Sequence, residues 1–276
     1  MKPELYDRTH AGLRFDWPRL PPILKSLDGI PEIATELHFM REKSSHRGIH
    51  RLKKLRNAWL INVNQEFLEE ISEVQQLQLL HIHQTTATDL TPLRKLRKLR
   101  RLIIRGGTKV LNLDWVHGLS PLESLAIENF KRVEHLDPLG ELKSLIGLGI
   151  EGSMWTAMRV ASLAPLAHLT RLRSLFMINT RIKDQSLAPL HKLQNLGLLE
   201  CASFFPDSEF IRLRKAMPNL KCACCDVIAR YGSTRAGSAA FMRSIQEQYE
   251  SQMSQLSISD EEEAPWIEIR NPLDDH

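Results

Sequence analysis

Three stretches decide the fold: Leu122-Glu123-Ser124-Leu125-Ala126-Ile127, Leu145-Ile146-Gly147-Leu148-Gly149-Ile150 and Leu172-Arg173-Ser174-Leu175-Phe176-Met177. Each puts an apolar side chain at its first, fourth and sixth positions. Working outward with that template gives nine rows. Before them come Ala34-x-x-Leu37-x-Phe39, Leu55-x-x-Ala58-x-Leu60, Val74-x-x-Leu77-x-Leu79 and Leu99-x-x-Leu102-x-Ile104. After them come Leu196-x-x-Leu199-x-Cys201 and Leu220-x-x-Ala223-x-Cys225. First positions are 21, 19, 25, 23, 23, 27, 24 and 24 residues apart. Of the 43 leucines, 35 lie between Leu52 and Leu220 and two lie beyond position 225, so the repeated region has a sharp end. A coiled coil is excluded, because it needs a sustained period near 3.5.

A second pattern recurs between the rows. Leu90-Thr91-Pro92-Leu93, Leu136-Asp137-Pro138-Leu139, Leu163-Ala164-Pro165-Leu166 and Leu187-Ala188-Pro189-Leu190 each lead into leucines at every third position. Proline has its φ preset for a first helical turn, and a period of three suits a short 3₁₀ segment with one face inward. Each row therefore reads as strand, turn, short helix, return. One row cannot bury its leucines alone, whereas stacked rows bury them in a continuous ladder. Repeats of about 20–29 residues with this core are leucine-rich repeats. The expected class is α/β: a right-handed leucine-rich repeat solenoid, with a parallel β-sheet on the concave face and short helices or 3₁₀ turns on the convex face.

The chain resembles bacterial leucine-rich repeat proteins of the internalin type over roughly residues 34–225. The most specific stretch is Leu175-Phe176-Met177-Ile178-Asn179-Thr180-Arg181-Ile182-Lys183-Asp184, followed by Leu187-Ala188-Pro189-Leu190. Asp89-Leu90-Thr91-Pro92-Leu93 repeats part of it. The row lengths are less even than in that family, and the N-terminus shows no apolar signal segment. The resemblance implies protein recognition by the inner face. The family's extracellular role is not carried over.

Side chains alternate along a strand, so residues between the inward leucines face the concave side. In this register the predicted partner-binding residues are Trp59, Ile61, Gln78, Leu80, Ile103, Arg105, Glu128, Glu151, Phe176, Ile178, Leu198 and Glu200. Trp59, Ile61, Leu80 and Ile103 form one apolar cluster; Phe176, Ile178 and Leu198 form another. Small or acidic residues separate them: Ala126, Gly147, Gly149, Glu128 and Glu151. Apolar patches rimmed by charge mark protein interfaces, and aromatics such as Trp59 and Phe176 dominate them. Three readings stay open: a partner covers these residues; the chain covers itself, with the C-terminal segment in the groove or the N-terminal cap over Trp59; or the register of the rows is different. Gly152 to Met158 fills the longest spacing. It either forms a binding loop or tucks Trp155 and Met158 onto the convex side.

Residues 1–32 read as an N-terminal cap with a short helix at 20–28, and residues 33–226 as the solenoid. Residues 227–256 read as a linker (227–237) and a C-terminal helix (238–256), and residues 257–276 as an acidic tail. Formal net charge is +4, with nine acidic side chains and one arginine after position 245. The basic run Arg94, Lys95, Arg97, Lys98, Arg100, Arg101, Arg105 and Lys109 reads as a solvated face. Nucleic-acid binding is its sharper alternative, without a supporting motif. That face also offers a partner of opposite sign for Asp260-Glu261-Glu262-Glu263.

Cys201 is followed at a distance by Cys222-Ala223-Cys224-Cys225, and this Cys-x-Cys-Cys run is not a common structural zinc spacing, which prefers sets of Cys-x₂₋₄-Cys pairs. The four cysteines read as core thiols (Cys201, Cys225) and groove thiols (Cys222, Cys224). His81 and His83 read as a turn pair. Glu128 and Glu151 sit in adjacent rows and could couple, but no phosphate loop or nucleophile motif accompanies them. The expectation is a monomeric, cytoplasmic, non-catalytic binder of an unidentified protein. No metal, cofactor or membrane is expected. An adaptor working through the C-terminal helix and tail is the alternative.

Overall fold

The computed structural model describes Leu13 and residues 20–233. The chain divides into two compact units, 1–234 and 235–276. The predicted helix at 238–256 and the acidic tail lie outside the described residues.

Nine strands form one parallel sheet. They are β1 (Glu36–Met40), β2 (Asn57–Val63), β3 (Leu79–Thr85), β4 (Arg101–Arg105), β5 (Ser124–Glu128), β6 (Gly147–Glu151), β8 (Ser174–Met177), β10 (Leu198–Cys201) and β11 (Lys221–Cys222). Their order in the sheet is their order in the chain. Two short strands, β7 (Met158–Val160) and β9 (Thr180–Ile182), pair separately. Leu80, Leu102, Leu125, Leu148, Leu175 and Leu199 stand opposite one another across successive strands, all buried. Each such leucine contributes about 1.5–3 kcal/mol on burial.

The return segments are 3₁₀ turns at Thr91–Lys95, Asp137–Glu141, Ala164–His168 and Ala188–Lys192, each with proline in its first two positions. Their leucines 93, 139, 166 and 190 are buried against the strands. The second row instead returns through helix α1 (Gln65–Ile71), capped by Asn64, whose Oδ1 accepts from the Phe67 N–H at 3.0 Å.

Sharp bends recur just inside or just past the ends of the strands. Asn62, Gln84, Gly106, Asn129 and Asn179 all take positive φ, one residue past corresponding strand positions. Glycine and asparagine tolerate that region. The chain thus leaves successive strands the same way, and the rows stack.

The third row departs from the sequence reading by three residues. The inward residues are Leu80 and Ile82, opposite Ala58 and Leu60. Leu77 therefore takes the first position, and the uneven spacings of 19 and 25 become 22 and 22. Val74-x-x-Leu77-x-Leu79 and Leu77-x-x-Leu80-x-Ile82 satisfy the template equally. A shift by an odd number exchanges the two faces of a strand. Leu80 is therefore core, Gln78 precedes the strand, and His81 and His83 lie on the concave face rather than in a turn.

Both ends also differ. Residues 20–28 form no helix, because Leu24 bridges Phe39. The Leu24 N–H donates to the His38 carbonyl at 2.9 Å, and the Met40 N–H donates to the Leu24 carbonyl at 2.8 Å. That contact covers the open edge of β1, which would otherwise expose unpaired backbone groups. At the other end Cys222, not Ala223, pairs with Leu199. The chain then turns into helix α3 (Ala223–Tyr231), which occupies part of the predicted linker. Cys222 caps it, and Gly232 at φ 77° ends it. Helix α2 (Asp207–Ala216) packs beside α3. Among the described residues no helix is long and apolar enough to cross a membrane.

Candidate functional site

The concave face is built from one side of each strand. Its middle column is His38, Trp59, His81, Ile103, Ala126, Gly149, Phe176 and Glu200. An open sheet would expose this column. Instead His38, Trp59, His81, Ile103, Gly149 and Phe176 are all buried.

At its centre the covering residue is Leu13, which is 5% exposed and packs on Phe176, with Ala126 and Leu198 beside them; Phe176 is 0% exposed. The sequence prepares this seat. Gly149 puts no side chain between Ala126 and Phe176, and a Cβ there would come 3.2 Å from that of Ala126. Leu13 of the same chain thus covers the Phe176 cluster, whereas the sequence reading assigns the N-terminal cap to Trp59.

The neighbouring column is Met40, Ile61, His83, Arg105, Glu128, Glu151 and Ile178. The Arg105 Nε lies 3.3 Å from Glu128 Oε2, and Glu128 stands opposite Glu151. Burial, reinforced by the Arg105 charge, pushes the His81 pKa down to about 3, so its imidazole is neutral. Burial and Arg105 lower His83 as well, with Glu128 opposing. Among the predicted residues Leu80 and Gln78 do not belong to this face. Ile103 and Trp59 belong to it but are buried, and Ile178 remains 44% exposed.

Four of the exposed large apolar residues among those described, Met154, Trp155, Ile178 and Phe204, lie after the strands of three consecutive rows, while Ile23, Leu24, Ile33, Leu111, Ile211 and Tyr231 are exposed at other places. Met154 and Trp155 are 82% and 89% exposed at the tip of the turn after β6. The Ser153 N–H donates to the Thr156 carbonyl at 2.8 Å, and Asn179 Nδ2 donates to the Ser153 carbonyl at 2.7 Å. Gly152 is required there, because a Cβ would lie 2.3 Å from the Asn179 carbonyl oxygen. Met158, by contrast, is buried in β7. Of the two residues expected to tuck back together, only Met158 does so, while Trp155 stays exposed on the loop. Phe204, after β10, is partly exposed beneath the Arg181 guanidinium, 4.8 Å from its ring centre. Phe204 escaped the sequence reading because it lies beyond its strand.

The chain is a leucine-rich repeat solenoid. No protein family matches the sequence, and no curated protein matches it. Among solved structures the solenoid is similar to internalin C2 from Listeria monocytogenes, at 18% identity and a TM-score of 0.45, over 65% of this chain and 73% of that one. It is similar to the internalin inlF of the same organism at 22% identity and a TM-score of 0.38, over 69% and 66%. It is also similar to the plant peptide hormone receptor RGFR1, solved in complex with RGF2, at 14% identity and a TM-score of 0.47, over 74% and 37%.

The basic run of the solenoid is largely engaged at home. Lys95 pairs with Glu73, Arg100 with Glu123 and Arg105 with Glu128. Arg94 and Arg97 donate to the carbonyls of Asp114 and Gly118, and Lys98 donates to Gln76. These bonds link each row to the one before or after it.

The cysteines form a cluster at the C-terminal end. The Cys225 N–H and thiol both donate to Cys222 Sγ, at 3.3 and 2.7 Å. Thiol hydrogen bonds from Cys201 and Cys225 pull the Cys222 pKa down, and the bond that Cys225 gives to Cys222 pushes Cys225 up. Cys222 and Cys225 are buried; Cys201 and Cys224 are half-buried. Cys222 is a core residue, not the groove thiol that the sequence register implied.

Proposed function

We propose that this solenoid is a non-catalytic protein-recognition module whose partner engages the loop edge of its sixth to eighth rows. The observation that carries this reading is the exposed set Met154, Trp155, Ile178 and Phe204 on three consecutive rows. A large apolar group held out in water costs free energy, which a partner recovers by covering it. Trp155 is the anchor, because a tryptophan on a tethered turn loses little freedom on binding. The concave centre contributes second. Its seat at Phe176 accepts an extended apolar segment, and Leu13 of the same chain holds that place. An inhibitor or immunity role, in which the arc grips another protein, is the finer form of this proposal. The engagement of the basic run favours protein over nucleic acid, since phosphates would compete with bonds already made.

The test is partner capture from native lysate by the full chain and by a Trp155→Ala/Ile178→Ala variant with an unchanged thermal midpoint. A protein retained by the first and lost from the second is the expected result. Identical captures would remove the loop edge as the binding surface. A Leu13→Asp variant adds the complementary arm: a partner that needs the Phe176 seat binds it more tightly than it binds the parent.

A further inference from the structure

Two segments on neighbouring rows face each other beside β1 and β2. The turn after β1 carries His46 and His50, and α1 carries Glu66 and Glu70, each pair four residues apart. On a helix that spacing turns both carboxylates to one side. His46 is 0% exposed and packs on the Phe67 ring at 4.9 Å between centres. Neither of its ring nitrogens has a hydrogen-bond partner. Its Nε2 lies 3.7 Å from Glu66 Oε2, too far for a hydrogen bond. Arg47 Nε donates to the other Glu66 oxygen, Oε1, at 2.8 Å. Glu70 Oε2 accepts from the Gly48 N–H at 2.8 Å and stands 3.2 Å from His50 Nδ1. One ligand atom from each of His46, Glu66 and Glu70 lies within 4.8 Å of the other two.

We propose that His46, Glu66 and Glu70 bind a divalent transition-metal ion, zinc by best fit, with His50 completing the shell. An imidazole that is buried and unbonded leaves two polar atoms unsatisfied, which is costly. A metal gives one of them a partner. Two imidazoles and two carboxylates suit zinc, whereas calcium and magnesium want oxygen ligands only. At zinc bond lengths of about 2.0–2.1 Å, tetrahedral ligand atoms stand about 3.3 Å apart. The carboxylates therefore draw in by about 1.5 Å at most, which their rotatable stems permit, while burial fixes His46. The ion would tie the turn at 44–51 to α1 and so lock the first rows together. The inference stands independently of the partner reading.

The test is a cobalt(II) titration of the full chain, followed by zinc displacement. Expected are one equivalent bound, the visible bands of tetrahedral cobalt, no thiolate charge-transfer band, and bleaching by zinc. Glu66→Gln and Glu70→Gln, both on partly exposed side chains, should each weaken binding at least about tenfold. His46→Gln should abolish binding, and circular dichroism checks its fold. The glutamate variants decide the matter if that buried substitution unfolds the chain. Three results would each overturn the proposal: no saturable uptake, unchanged affinity in both glutamate variants, or a thiolate band lost in Cys222→Ser/Cys225→Ser.

Discussion

The contact between Leu13 and Phe176 makes a quantitative prediction. Burying a leucine side chain contributes about 1.5–3 kcal/mol relative to leaving it exposed. Leu13 is 95% covered, so truncation to alanine should cost about 2 kcal/mol of global stability. That energy is gained only in the folded state, because the seat is assembled from three separate strands: Ala126 on β5, Phe176 on β8 and Leu198 on β10. The same figure corresponds to about a thirtyfold drop in the equilibrium between seated and released Leu13, at 1.4 kcal/mol per tenfold. Phe176→Ala removes the other half of the contact. Residues in contact are expected to couple by about 0.5–3 kcal/mol. The assay is urea unfolding of four full-length proteins: parent, Leu13→Ala, Phe176→Ala and the double variant. The expected result is a double variant more stable than the sum of the two losses allows, by at least about 1 kcal/mol. A Leu13→Ala loss under about 0.5 kcal/mol, or strict additivity, would refute the seating of Leu13 on Phe176.

Further expectations follow from single residues. His81 has a folded pKa of about 3 against an ordinary value near 6.5, so the unfolded state binds the extra proton between those limits. Stability is then complete above about pH 6.5 and falls on acidification, by about 2 kcal/mol between pH 6.5 and 5; His81→Leu should flatten that part of the urea-midpoint profile. Gly107→Ala would put a Cβ 2.3 Å from Phe130 Cε2 in a ring that is fully buried, and overpacking of this kind costs about 1–3 kcal/mol, readable as a lower thermal midpoint. Asn64→Ala removes the cap of α1 and should cost about 1 kcal/mol, while Asn64→Asp or Asn64→Ser should recover most of it.

Much of the fold was legible because the rows repeat a physical requirement. Leucines at fixed spacing must share a face, and seven of nine rows are found in register from that alone; the third is displaced by three residues and the last by one. The third row failed for a reason the pattern contains: Val74, Leu77 and Leu80 are all apolar at intervals of three, so two registers fit. Near-equal spacing of neighbouring rows was the signal that could have chosen between them. Ends were harder, since Leu24 and Cys222 take their conformations from the strand beside them rather than from local propensity. The site was legible only in part. Phe176 and Ile178 were correctly placed on the concave side, but the covering of Phe176 by Leu13 depends on a contact remote in sequence. His46 and His50 share a visible spacing, as do Glu66 and Glu70. Nothing in the sequence says that the two pairs meet across adjacent rows.

Leu13 and Phe176 are 163 positions apart, whereas strands of the sheet meet neighbours one row away. This has a consequence for the order of events during synthesis. Rows can stack as they leave the ribosome, each on the one before it, since such contacts close short loops. Leu13 is made before any row, and its seat is complete only after Leu198. Until then Leu13 has no place to dock. Its disappearance from solvent is therefore a timestamp: it marks chains in which the eighth row is finished, and chains halted earlier should keep Leu13 exposed.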